Sequence, residues 1–86
     1  MAKRRKYKRN AEKLNLREIT LLLNHHIEDV YKGLKKHSVE IALFSIEDAE
    51  ELLSEQKPPI EYLERVLPTV AKAKLAILSY IHGLED

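Results

Sequence analysis

The sequence predicts an all-α fold, an antiparallel three-helix bundle with its third helix kinked or broken near Pro68. Three observations predict it. Apolar residues recur at steps of three and four through three successive segments, the period of helices buried on one face. Two glycines and three prolines punctuate 86 residues, too few for the turns of a multi-stranded β fold. The two breaks between segments are short, and short connections force neighbouring helices to run antiparallel.

The first helix begins after Asn15, a good N-cap, with Glu18 at the spacing of a capping box. Leu16, Ile19, Leu23, Ile27, Val30 and Leu34 form its stripe, and Gly33, Lys35, Lys36 and His37 close it, with bases where the helix dipole favours them. Ser38 caps the second helix, whose stripe is Val39, Ala42, Ile46, Ala49 and Leu53. It should end near Gln56, because Pro58 disfavours helical geometry at Lys57. Pro59 suits the first turn of the third helix, which carries Ile60, Leu63, Leu67, Val70, Ala73, Ile77, Ile81 and Leu84. Pro68 interrupts it at a cost of about 3 kcal/mol, and Gly83 reads as its C-cap. The predicted core is Leu16, Ile19, Leu23, Ile27, Val30, Leu34, Ala42, Ile46, Ala49, Leu53, Leu63, Leu67, Val70, Ile77 and Ile81.

Charge divides the chain. The formal net charge is +1, but residues 1–13 hold seven bases against Glu12, giving +6, and the remainder carries −5. Residues 1–13 lack an apolar period and read as a basic disordered tail, with residues 14–86 as the helical bundle domain. The chain length allows one domain and no two-lobed cleft. The absence of cysteine excludes disulfides, zinc–thiolate and iron–sulfur sites and a cysteine nucleophile. No run approaches the ~18 apolar residues of a membrane span, and the basic start lacks the apolar stretch of a secretory signal. A cytoplasmic protein with no membrane partner is expected.

Lys3, Arg4, Arg5, Lys6, Lys8 and Arg9 place six bases in seven residues, with Tyr7 among them. Such a run can neutralise phosphates without sequence preference, and the tyrosine can stack on an exposed base. The plainer readings are a solvated terminus, or a segment drawn to an acidic surface that includes this chain's own. Glu47, Glu50 and Glu51 share a helix face able to attract a divalent cation, but an ordinary solvated helix face is the favoured reading. His25 and His26 are adjacent, so they point about 100° apart and cannot chelate one metal; Asp29 stands four residues after His25. His37 and His82 lie near helix ends, where local capping accounts for them. Tyr31, Tyr62 and Tyr80 read as core-edge residues whose hydroxyls reach water. The serines lack a nucleophile elbow and the two glycines cannot build a phosphate loop. No enzyme signature, cofactor, metal site or small-molecule substrate is expected.

The segment Ser79-Tyr80-Ile81-His82-Gly83-Leu84-Glu85-Asp86 resembles the Tyr-Ala-His-Gly-Leu-Leu-Asp signature of the archaeal family known as domain of unknown function 357. Ile46-Glu47-Asp48-Ala49 with Leu52-Leu53 is similar to that family's Asp-Ala-x-x-Phe-Leu stretch. The resemblance implies an archaeal, all-helical bundle or hairpin of uncharacterised role, and it brings no catalytic residues.

The resulting functional expectation is a non-enzymatic interaction module that docks on a protein partner or self-associates as a homodimer. Leu43, Phe44, Leu52, Leu75 and Leu78 widen the apolar stripes beyond the needs of a small core, and His82 lies in the most distinctive segment. These six are the candidate interaction surface. The alternative is a nucleic-acid accessory protein acting through Lys3, Arg4, Arg5, Lys6, Tyr7, Lys8 and Arg9.

Overall fold

The computed structural model describes residues 13–85, with side chains through Gly83. Three helices follow in order: α1 (Leu16–Lys35), α2 (Val39–Gln56) and α3 (Ile60–Glu85). No strand occurs among the described residues. Cross-helix contacts show the directions. Leu14 at the start of α1 meets Gln56 at the end of α2, whereas Thr20 meets Tyr62 and His37 meets Tyr80. Thus α2 runs antiparallel to α1, and α3 runs parallel to it, giving an up-down-up bundle.

Local chemistry sets the boundaries. The Asn15 side chain accepts the Glu18 N–H at 2.8 Å, and the Glu18 carboxylate accepts the Asn15 N–H at 3.1 Å, completing the expected capping box. At the other end of α1, His37 sits in the left-handed region at φ 58°. Its N–H donates to the Leu34 carbonyl, and the Ser38 N–H donates to the Gly33 carbonyl at 2.8 Å. This is a Schellman closure with histidine at the residue usually given to glycine. Ser38 then caps α2 through its side chain, which accepts the Ile41 N–H. Lys57 ends α2 in a second left-handed residue, φ 45°. The Pro59 carbonyl accepts the Tyr62 and Leu63 N–H groups and starts α3.

The core unites Ile19, Leu23, Ile27 and Val30 of α1, Ala42, Ile46, Ala49 and Leu53 of α2, and Tyr62, Val70, Ala73 and Ile77 of α3. Leu34, Leu63 and Ile81 pack against it half-buried. α1 and α2 lie closest together, and α3 approaches each of them less closely. Gly33 sets that intimacy. A Cβ there would stand 2.9 Å from the Ala42 backbone nitrogen and 3.0 Å from Ile41 Cγ2. Gly33 therefore serves close helix approach and not helix termination.

Four expectations need correction. Leu16 and Leu67 belong to the predicted core but are exposed, at 43% and 48%. Leu16 is the first residue of α1 and overhangs the bundle end. On α3 the buried row is Tyr62, Val66, Val70, Ala73 and Ile77, so Leu67 turns outward. The third helix is continuous through Pro68, so of the expected kink or break the break does not occur. Pro68 and Glu64 are exposed, so the Glu64 carbonyl that proline leaves without an N–H is solvated. Gly83 lies inside α3 without a positive φ, so it is not the C-cap. Tyr62 is buried at 4% and is not a core-edge residue.

Gly33→Ala gains up to about 1 kcal/mol of helix propensity but forces a methyl against backbone, and such overpacking costs about 1–3 kcal/mol. A net loss is expected, read as a lower denaturant midpoint at unchanged slope. Lys57→Gly relieves a left-handed lysine and is expected to stabilise the fold by about 0.5–1 kcal/mol, while Lys57→Val lowers the midpoint.

Candidate functional site

Among the described residues, Gln56, the Thr20–Tyr62 pair and the His37–Tyr80 pair make polar contacts that tie the helices together. The Gln56 side chain is buried in the last turn of α2, at 6% exposure. Its Oε1 accepts the Leu14 N–H at 2.7 Å, and its backbone carbonyl accepts from Lys13 Nζ at 3.4 Å. Thr20 Oγ1 donates to the Leu16 carbonyl at 2.8 Å, so its bond of 2.6 Å with Tyr62 is donated by the tyrosine hydroxyl. Arg65 lies 5.7 Å from the Tyr62 ring centroid. His37 Nδ1 and the Tyr80 hydroxyl share a bond of 3.0 Å. Sequence reasoning missed Gln56 and Ser45 as buried residues. Both fall on the apolar stripe of α2, at the rhythm 42, 45, 46, 49, 53 and 56, and that placement was the available signal.

The carboxylates of α2 build no centre. Glu50 joins Lys74 of α3 at 2.7 Å, in a pair about half exposed on both sides, and such pairs contribute about 0–1 kcal/mol. The His25 and His26 ring centroids are 6.5 Å apart and tilted by 51°. No group of three or more histidine, cysteine or carboxylate residues among the described residues is arranged to hold a metal. No described helix is long and apolar enough to cross a membrane.

What the described surface offers is apolar area, on two separate faces. The outer face of α3 carries Ile60, Leu67, Leu75 and Leu78, all exposed, with Leu75 at 62% and Leu78 at 51%. Ala71 and His82 continue this row and are exposed. At about 100° per residue, these positions lie on the side of α3 opposite its buried row. Leu43 is exposed at 41%. It stands two turns before Glu50 on the same row of α2, which places it at the border with α3.

The second face is on α2. Ile41, Phe44, Asp48, Leu52 and Glu55 follow at helical spacing on the side opposite Glu50, and so away from α3. Ile41 and Phe44 are exposed, and Leu52 is half-buried against the core. The six residues of the expected interaction surface are thus divided: Leu43, Leu75, Leu78 and His82 go with α3, and Phe44 and Leu52 with the back of α2. Lys3, Arg4, Arg5, Lys6, Tyr7, Lys8 and Arg9 lie outside the described residues.

No protein-family model matches the chain, and no curated protein or solved structure matches it significantly.

Tyr62→Phe removes the hydroxyl that donates to Thr20 and leaves the ring in place. A loss of about 1 kcal/mol is expected, against about 3–5 kcal/mol for the cavity left by Tyr62→Ala. Thermal melts of the two variants measure the difference.

Proposed function

We propose that this chain is a non-enzymatic helical interaction module that associates through the outer face of α3. The observation that carries the reading is the row Ile60, Leu67, Ala71, Leu75 and Leu78, exposed along a helix whose opposite side is already buried. An amphipathic helix buries one stripe; a second stripe on the same helix calls for a second packing partner.

The partner this face fits best is another copy of itself. The row is self-complementary about Ala73: in an antiparallel pair, Leu67 stands near Leu78 of the partner, Ala71 opposite the partner's Leu75, and Glu64 opposite the partner's His82. The carboxylate and imidazole at the two ends suit each other in that register and not in a parallel one. Lys74 at the margin is held by Glu50. The likeness to the domain of unknown function 357 family supports the helical class and supplies no activity.

A second reading, nucleic-acid binding through the tail, is favoured by the six bases between Lys3 and Arg9. Deleting residues 2–9 should then abolish binding, and affinity should fall with salt at a slope near −0.7 per single-strand phosphate contacted.

Light scattering tests the first reading. The intact chain is expected to be a dimer, and Leu75→Glu with Leu78→Glu a monomer of unchanged helical circular dichroism, because both side chains are exposed. Glu64→Lys should weaken the dimer, and adding His82→Glu should restore it. A strict monomer at high concentration overturns self-association.

A further inference from the structure

The back face of α2 has a definite occupant within the same chain. We propose that the basic segment comprising residues 1–12 docks on the row Ile41, Phe44, Asp48, Leu52 and Glu55, covering the side of the α1–α2 pair that α3 leaves uncovered.

The point of attachment comes first. Lys13 and Leu14 are fixed to the last residue of α2 by the two bonds to Gln56. Everything before Lys13 therefore starts beside Glu55, at the end of the row. Reach comes second. From Glu55 back to Ile41 is about 21 Å along a helix. Twelve residues span up to about 40 Å extended, so the extended segment covers the whole row without having to bridge a gap, whereas as a helix of about 18 Å it stops short of Ile41.

Charge complementarity comes third. The 18 residues of α2 hold Glu40, Glu47, Asp48, Glu50, Glu51 and Glu55 and no base, and no basic side chain stands in the last turn. The negative end of the helix dipole adds to this charge exactly where the segment begins its path. Residues 1–12 hold six bases against Glu12. The acids divide by position: Glu50 faces Lys74 of α3, and Asp48, Glu51 and Glu55 lie on the side of the helix turned away from α3.

The face is also apolar where a basic segment with one aromatic needs it to be. Ile41 and Phe44 are about half exposed. Gly33 touches Ile41, so the α1 row that ends at Gly33, with Leu22, His26 and Asp29 before it, borders the same strip. Leu22 is exposed at 42%. Tyr7 is the aromatic that such a strip would take, with the bases on either side of it directed to the acidic margin. This inference is independent of the α3 reading: it concerns the opposite side of the molecule and needs no second copy.

The chain has no cysteine, so Ala2→Cys in the full-length protein accepts a nitroxide label without altering any charge. The expected result is loss of amide signal between Ile41 and Glu55 of isotope-labelled protein, with the outer face of α3 spared. The loss should weaken in about 1 M salt, where the screening length falls to about 3 Å. It should also weaken in the variant Glu51→Lys with Glu55→Lys, at a half-buried and an exposed position, whose fold is checked by circular dichroism. No signal loss, or an even loss over the whole surface, overturns the proposal and leaves the face to another partner. Signal loss in a mixture of spin-labelled unenriched chains and isotope-labelled untagged chains means that the segment reaches a second copy, which also overturns it.

Discussion

The close approach of α1 and α2 is the constraint on which the other features depend. With hydrogen as its only substituent, Gly33 lets Ile41 and the Ala42 backbone come to a distance at which no side chain fits. Fully buried Ala42 and Ala49 keep the helices near each other further along. Two helices packed this closely leave little room for large side chains between them. Ile19, Leu23, Ile27 and Val30 instead combine with Ile46 and Leu53 in a common core, and α3 closes it with Val70, Ala73 and Ile77. The large apolar residues that do not fit this arrangement remain outside, which accounts for both exposed faces.

The helices were legible in the sequence because their signals are local. Asn15 and Glu18 form their capping box wherever the helix packs, Ser38 caps for the same reason, and Pro58 stops α2 regardless of tertiary context. The buried stripes of α1 and α2 were equally readable, since their steps of three and four run unbroken along each helix. α3 was readable in part: Leu63, Val70, Ile77 and Ile81 pack in or against the core as expected, and Leu67 does not, because this helix has two apolar sides. A choice between the rows Ile60-Leu63-Leu67 and Tyr62-Val66-Val70 cannot be made from spacing when both are apolar; the Tyr62 hydroxyl meeting Thr20 decides it. The buried Gln56 escaped notice for a related reason, since its partner is the Leu14 N–H, 42 residues away in sequence. Gly33 and Gly83 show the limit of punctuation: one permits contact, and the other is an ordinary residue of a helix.

The exposed apolar residues were partly legible. Leu75, Leu78, Phe44 and Leu43 were recognised as surplus to a small core, and all four are exposed. What the spacing of residues along separate helices could not give was their grouping. Leu75 and Phe44 look alike as exposed apolar residues, yet one belongs to a face edged by Glu64 and His82 and the other to a face edged by Asp48, Glu51 and Glu55. Charge distinguishes them: the α3 row has an acid and a histidine at its edge, and the α2 row carries Asp48 and Glu55 among its apolar residues.

The unequal spacing of the helices also bears on how the fold assembles. α1 and α2 are neighbours in sequence, with only His37 between their caps Lys36 and Ser38, and they make the most intimate contact among the described helices. Such a hairpin closes a short loop and gains its contacts early. α3 arrives across the rigid Pro58-Pro59 corner onto a surface already formed, and its looser seating makes it the first element to open. Stability is then graded through the molecule, with a firm two-helix unit and a third helix that detaches at lower free energy. Opening of α3 can proceed without unfolding the unit beneath it.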